Sequence, residues 1–304
     1  MLGEHIDMVV IDAQIHTFYS DRPSRPWVPE FRPQYIPDRP SYLQHAGQTN
    51  SPGMALAEMK EAEVDAALLV PVGMYGTGLE LELEATAEHP ERFRVAGLID
   101  HLASGLGEHL EAAAARGLVG VRILELREPE RVARGEFDDV LGLCADLGLV
   151  VTLSLRHPLD PRLVELFERN ADVFFLIDHL GTGYAPPILG YRPAEPFEHI
   201  DAVADLARYS NIGLKLTGAP SLSVDVHPFK DIWQPITRLV DAFGAERVYW
   251  GSDYSRTAPL HSYHDGRFYL AEIPGLAQEQ LDLIYGEALA QQLNWHPSVG
   301  NGAE

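Results

Sequence analysis

Four residues of the 304-residue chain could hold a metal or move a proton, and each stands where an apolar run gives out. His16 follows Ile11-Asp12-Ala13-Gln14-Ile15, His157 follows Leu153-Ser154-Leu155-Arg156, His179 follows Phe175-Leu176-Ile177-Asp178, and Asp253 follows Tyr249-Trp250-Gly251-Ser252. A lone histidine is more often a satisfied polar residue than a ligand; four such residues at comparable positions carry more weight. Imidazoles plus one carboxylate form a donor set that zinc, manganese or iron accepts. Gln14 lies two residues before His16, so on a strand both side chains leave the same side. Its amide oxygen is a weaker ligand than an imidazole for a borderline-soft metal. A carboxylate beside water is also a general base, and an imidazole beside it can pass a proton or steady an oxyanion. Asp253 and His179 are therefore the candidate catalytic pair.

Cations close in sequence to these runs could grip an anionic substrate. Arg122 and Lys215 end two further apolar runs, while Arg25 and Arg256 lie in loops, Arg25 two residues before Trp27. Arginine holds carboxylates bidentately. These five form the expected substrate-binding set. Arg122 could equally pair with Glu125 or another acidic neighbour, and a buried strand lysine such as Lys215 is costly unless it has a partner.

Positioning these residues requires strands that all end on one side. Apolar, β-branched runs at 8–16, 65–72, 93–99, 119–124, 150–155, 173–178, 212–217 and 247–252 read as eight strands covered on both faces. Between and after them, helical periodicity marks 53–63, 78–89, 105–116, 137–147, 160–170, 198–209, 230–243 and 277–293. Strict alternation predicts an α/β fold, a single-domain (β/α)₈ TIM barrel over residues 1–296 with a short tail at 297–304. A doubly wound sheet would show a glycine-rich phosphate turn after the first strand, and Ile11 to His16 has none. Two connections are long. Residues 17–52 form the expected lid, rich in proline and aromatics, with Arg22, Arg32 and Arg39 beside Arg25; residues 181–196 carry Tyr184, Tyr191 and Arg192. Both leave strand ends where barrel active sites form.

Composition narrows the partners. Lys plus Arg total 23 against 45 Asp plus Glu, a formal charge of −22. That charge disfavours nucleic acid and anionic membrane surfaces. Cys144 is the one cysteine, so no internal disulfide or cysteine metal cluster can form; its apolar setting reads as a small buried hydrophobe. The first residues show no secretory pattern and no run is long enough to span a bilayer, which predicts a cytoplasmic protein acting on a small molecule. A homo-oligomer or a related subunit stays open.

Taken together, Ile11-Asp12-Ala13-Gln14-Ile15-His16, Gly120-Val121-Arg122, Ile177-Asp178-His179-Leu180-Gly181 and Tyr249-Trp250-Gly251-Ser252-Asp253 resemble the amidohydrolase superfamily, in particular its amidohydrolase-2 branch of lactonases and decarboxylases. The resemblance spans nearly the whole chain. It implies that His16, His157 and Asp253 bind one divalent metal (zinc, manganese or iron), with Gln14 standing where relatives have a first histidine, and that His179 assists catalysis. It also implies a hydrolase, most simply a lactonase in which Asp253 activates water; a non-oxidative decarboxylase, a metal-dependent oxygenase and an inactive binding subunit are the alternatives. Gln14 predicts that the metal is weakly held or absent. A binuclear site would need a bridging carboxylate or modified lysine, and Arg122 stands where that bridge would.

Overall fold

In the computed structural model the described residues are 8–29, 48–155, 160–183 and 193–298. Eight parallel strands form one sheet in sequential order. They are β1 (Ile11–Ile15), β2 (Ala66–Leu69), β3 (Phe93–Leu98), β4 (Leu118–Arg122), β5 (Val150–Leu153), β6 (Phe175–Ile177), β7 (Ile212–Lys215) and β8 (Val248–Tyr249). Between them run α1 (Pro52–Glu61), α2 (Glu80–Glu88), α3 (Leu106–Ala114), α4 (Pro129–Ala133), α5 (Asp138–Leu147), α6 (Pro161–Arg169), α7 (Ile200–Asp205) and α8 (Trp233–Phe243). After β8 come α9 (Tyr263–Phe268), α10 (Gln278–Asp282) and α11 (Ala288–Gln292). The (β/α)₈ barrel expected from the alternating pattern is the architecture found.

The strands are buried because both faces are covered, by the barrel interior and by the helix ring. Each helix presents its apolar stripe to the sheet: α8 buries Ile236, Leu239, Val240 and Phe243. Helices begin where the sequence supplies caps. Ser51 accepts the Met54 N–H ahead of Pro52, and Asp160 accepts the Arg162 N–H ahead of Pro161.

The ladder runs from β1 to β8, and single bonds close the seam. Ala13 N–H donates to Trp250 O at 3.0 Å, Asp253 N–H to Gln14 O at 3.0 Å, and His16 N–H to Tyr254 O at 2.7 Å. The 247–252 run was expected as one strand, yet the ladder stops at Tyr249 because the Trp250 N–H turns to Ile284 O at 2.8 Å. That carbonyl lies in a widened π turn, Leu283–Glu287, which splits the helix expected over 277–293. Gly286 permits the approach: a Cβ there would sit 2.2 Å from Val9 O. The helix expected over 198–209 likewise ends at Asp205 and tightens into a 3₁₀ turn, Leu206–Arg208. Two short helices, α4 and α9, have no counterpart in the sequence reading.

The long connection after β1 is cinched at its base. Phe18 and Asn50 exchange backbone hydrogen bonds of 2.8 and 2.9 Å, and Asn50 Nδ2 donates to His16 O at 2.6 Å. Arg32, Arg39, His157, Tyr184, Tyr191 and Arg192 lie outside the described residues. Cys144 is fully buried, and burial pushes its thiol up to about 12, consistent with the small-hydrophobe reading. Among the described residues no helix is long and apolar enough to cross a membrane.

Candidate active site

The strand ends bring one connected set of charges together. At its centre is Asp253, fully buried at the end of the β8 segment. Its Oδ1 accepts from Gln14 Nε2 at 2.7 Å and faces His16 Nε2 at 3.0 Å. Its Oδ2 carries no hydrogen bond among the described residues, with Arg256 Nε 3.6 Å away. Burial alone would raise this carboxyl, but the His16 bond and the neighbouring His16, His179 and Arg256 together hold it well below the usual carboxylate range. Asp253 therefore stays ionised.

Gln14 links this carboxylate to a second one. Its Oε1 accepts from Lys215 Nζ at 3.2 Å. An ammonium can only donate and a carboxylate can only accept, so the amide has one orientation that satisfies both. Lys215, fully buried on β7, pairs with Asp178 Oδ1 at 2.9 Å, and Arg122 Nη2 pairs with Asp178 Oδ2 at 3.0 Å. Burial pushes Lys215 down and Asp178 opposes that shift; burial would raise Asp178, but Lys215 and Arg122 keep it below its ordinary value. The expected alternative for Arg122, an acidic partner, is present, and that partner is Asp178. Its Nε has no hydrogen-bond partner among the described residues.

His16 and His179 differ. The Val70 carbonyl, 2.7 Å from His16 Nδ1, accepts the hydrogen bond of that nitrogen's N–H, and Nε2 faces Asp253. His179 is buried with Nδ1 3.4 Å from Thr217 O, and burial, only partly offset by Asp253 and Asp178, pushes it down to about 4. It is a neutral imidazole at pH 7. Both catalytic candidates sit on strained backbone: Asp253 has φ 57°, and His179 and Leu180 have φ 52° and 54°. Side chains rarely adopt this left-handed region, and such strain collects at functional sites.

Two acids here were not singled out by the sequence reading. Asp178 is the hub for both interior cations. Two strand-borne cations on β4 and β7 demand a buried acid between them, and that demand was a readable signal. Asp12 is fully buried and accepts from the Gln14 N–H and Ser252 N–H, each at 2.9 Å, from Ser252 Oγ, and from Tyr263 Oη at 2.8 Å. Burial raises it and these bonds pull it back. It ties the segment carrying Gln14 and His16 to the residue preceding Asp253.

Two expected substrate residues are elsewhere. Arg25 pairs with Glu84 in the middle of α2 and lies over the Tyr19 ring, 5.6 Å from its centroid. Trp27 is buried with Phe18, Val72 and Met74, its Nε1 donating to Tyr19 O at 2.9 Å. They hold the base of the long connection rather than joining the Asp253 network.

Residues 11–289 match the family model for amidohydrolases, and the chain belongs to that family, in its amidohydrolase-2 branch. Solved structures agree on the fold. A probable 2-pyrone-4,6-dicarboxylic acid hydrolase from Acinetobacter baumannii, with citric acid bound, is 20% identical (TM-score 0.72), covering 94% of this chain and 100% of its own. An amidohydrolase from Burkholderia multivorans with bound zinc is 18% identical (TM-score 0.75), with 95% and 100% covered. The 5-carboxyvanillate decarboxylase from Sphingomonas paucimobilis is 17% identical (TM-score 0.65), also with 95% and 100% covered. No curated protein matches.

Zinc in one relative raises the question of fit. His16 offers Nε2 with its tautomer fixed by a carbonyl, as a metal ligand requires, and Asp253 offers Oδ2. The Gln14 oxygen, however, is turned to Lys215, and its NH₂ faces Asp253. Among the described residues no three histidine, cysteine or acidic side chains cluster as a metal site. Among the described residues, His16 and Asp253 with an engaged Gln14 amide do not fit a tightly held divalent ion.

Proposed function

We propose that this chain hydrolyses a small lactone bearing at least one carboxylate, with Asp253 as the base. The observation that carries the reading is the split character of Asp253. One oxygen is fixed by Gln14 and His16, while the other has no hydrogen bond among the described residues and has a largely buried guanidinium nearby. The acyl carbon is attacked by water, whose proton passes to Asp253 Oδ2. The ring C–O bond then breaks, and the leaving oxygen takes that proton. His179, neutral and buried, lies beside this path and can donate to the developing oxyanion.

A strongly depressed carboxylate is a weak base until its cations are engaged elsewhere. A substrate carboxylate against Arg256 or Arg122 offsets the charge that holds Asp253 down, so binding raises its basicity where it is needed. Lys215 shares in this through Gln14. We place the reaction in the cytoplasm, where a lone reduced thiol such as Cys144 is ordinary.

Decarboxylation is the second reading, supported by the decarboxylase among the structural neighbours. One experiment separates the two. Carboxylated lactones, pyrone dicarboxylates included, and carboxylated phenols are incubated with the protein while ring opening and CO₂ are both measured. Ring opening with kcat/KM of about 10⁴ M⁻¹s⁻¹ or more supports hydrolysis. CO₂ release without ring opening selects the decarboxylase.

A further inference from the structure

The network around Asp253 is charge-complete before any ion is added. Among the described residues three buried carboxyl groups, Asp12, Asp178 and Asp253, stand beside three side-chain cations, Arg122, Lys215 and Arg256, even with His16 and His179 left out. A divalent ion placed against Asp253 would meet no uncompensated negative charge. It would also face an ammonium one side chain away, because Lys215 and Asp253 hold opposite ends of the same amide. Ligands that bind zinc or manganese tightly are imidazoles and unengaged carboxylates; here the residue two before His16 is an amide whose oxygen is already bonded to a cation.

We propose that Lys215 and Gln14 together take the place of a divalent ion and its first ligand. The ammonium, tethered by Asp178, supplies a fixed interior positive charge, and the Gln14 amide presents that charge to Asp253 as an N–H. The two residues form a unit. With Gln14 alone replaced by histidine, the ammonium would still repel a metal. With Lys215 alone replaced by an apolar residue, the ligand at position 14 would still be a weak amide. Only the paired change should open a metal site. The inference rests on Asp253 as the centre of the site, but its readout is binding and does not depend on identifying a substrate.

The test is zinc and manganese content by elemental analysis, followed by calorimetric titration of the full-length protein with ZnCl₂ and MnCl₂. Five proteins are compared: the wild type, Gln14→His, Lys215→Met, Gln14→His/Lys215→Met and Gln14→His/Lys215→Arg. The wild type should be isolated with less than about a tenth of an equivalent of either metal. Gln14→His/Lys215→Met should bind one equivalent about 100-fold more tightly than the wild type, while both single variants stay within about 10-fold of it. Gln14→His/Lys215→Arg keeps the charge and should remain a poor binder. Adding Asp253→Asn to the tight-binding variant should abolish binding, showing that the ion sits at this site.

Stoichiometric zinc in the wild type overturns the proposal whether or not any variant folds. So does tight binding by Gln14→His alone, or by the variant carrying arginine at position 215. Failure of lactone hydrolysis would leave these binding outcomes unchanged, so the two readings fail separately.

Discussion

Asp253 and Glu82 are both buried carboxyl groups on the side of the barrel where the strands end, but their surroundings differ in one respect. Asp253 is met by Gln14, His16 and Arg256, and it is held strongly ionised. Glu82, in the first turn of α2, is 1% exposed, and its Oε1 has no hydrogen-bond partner among the described residues. Burial pushes it up to about 8, against a weaker downward pull from Arg25, which is itself engaged by Glu84. Depth is the same; donors decide the charge. The strand ends can supply donors because eight of them converge, whereas the base of the long connection buries an acid with no matching set. The first region can hold an anion in readiness for chemistry. The second holds a group that changes charge near neutral pH.

Removing the base should give the largest effect. Asp253→Asn keeps the shape but cannot accept a proton, and its NH₂ would face the Gln14 NH₂ or Arg256. Turnover on any hydrolysed lactone should fall by about 10³-fold or more, with a much smaller change in KM. Steady-state kinetics check this. Retention of a tenth of wild-type kcat would remove Asp253 from the mechanism and leave it a structural acid like Asp12.

The two regions also differ in how far they could be read from sequence. The barrel was legible because each buried strand is an unbroken apolar run; the ends overshot because apolar character continues past the ladder, as at Trp250, whose N–H bonds a helix carbonyl. His16, Gln14, Arg122, Lys215 and Asp253 could be found as polar residues at the ends of those runs. Their partnerships could not, since Asp178 meets Lys215 and Arg122 across strands that are far apart in sequence. Arg25 and Trp27 lie in a connection with no periodicity. Nothing in their spacing shows that they face Tyr19 and Glu84 and stand apart from the barrel mouth.

Glu82 should dominate the alkaline side of the stability profile. Its folded value, about 8, lies above the ordinary 4.5, so stability is complete below 4.5 and is lost as pH rises through 8. A shift of this size corresponds to about 5 kcal/mol above pH 8. Glu82→Gln should flatten the slope of unfolding free energy between pH 5 and 8, read by urea denaturation at fixed intervals. The slope is the diagnostic, because a buried amide changes the level by a constant amount. An unchanged slope would mean that Glu82 is charged and partnered in solution, and the contrast with Asp253 would fail.

His179 acts on the opposite limb. Its folded value, about 4, lies below the ordinary 6.5, so its contribution is complete above 6.5 and is lost as pH falls toward 4. That amounts to about 3 kcal/mol. Asp178 and Asp253, both depressed, add their losses at lower pH still. His179→Gln should therefore remove the acid-side slope between pH 6.5 and 4 while leaving the slope below pH 4 in place. Loss of both together would show that the histidine and the carboxylates titrate as one unit.

Arg25 should give the smallest effect, and it sharpens the comparison most directly. The guanidinium is 29% exposed and its partner Glu84 is 48% exposed, so solvent screens the pair. Removing it as Arg25→Ala should cost less than about 1 kcal/mol at pH 7. It also withdraws the cation that pulls Glu82 down, so the folded value of Glu82 should rise further and the loss of stability on the alkaline side should continue to above pH 8 before it levels off. Lactone hydrolysis should be unchanged in both kcat and KM, because Arg25 anchors the connection against Tyr19 and α2 and does not join the Asp253 network. A rise in KM of about 10-fold or more with unaltered stability would return Arg25 to the substrate. The base of the connection would then be part of the active site, and the two regions would have to be treated as one.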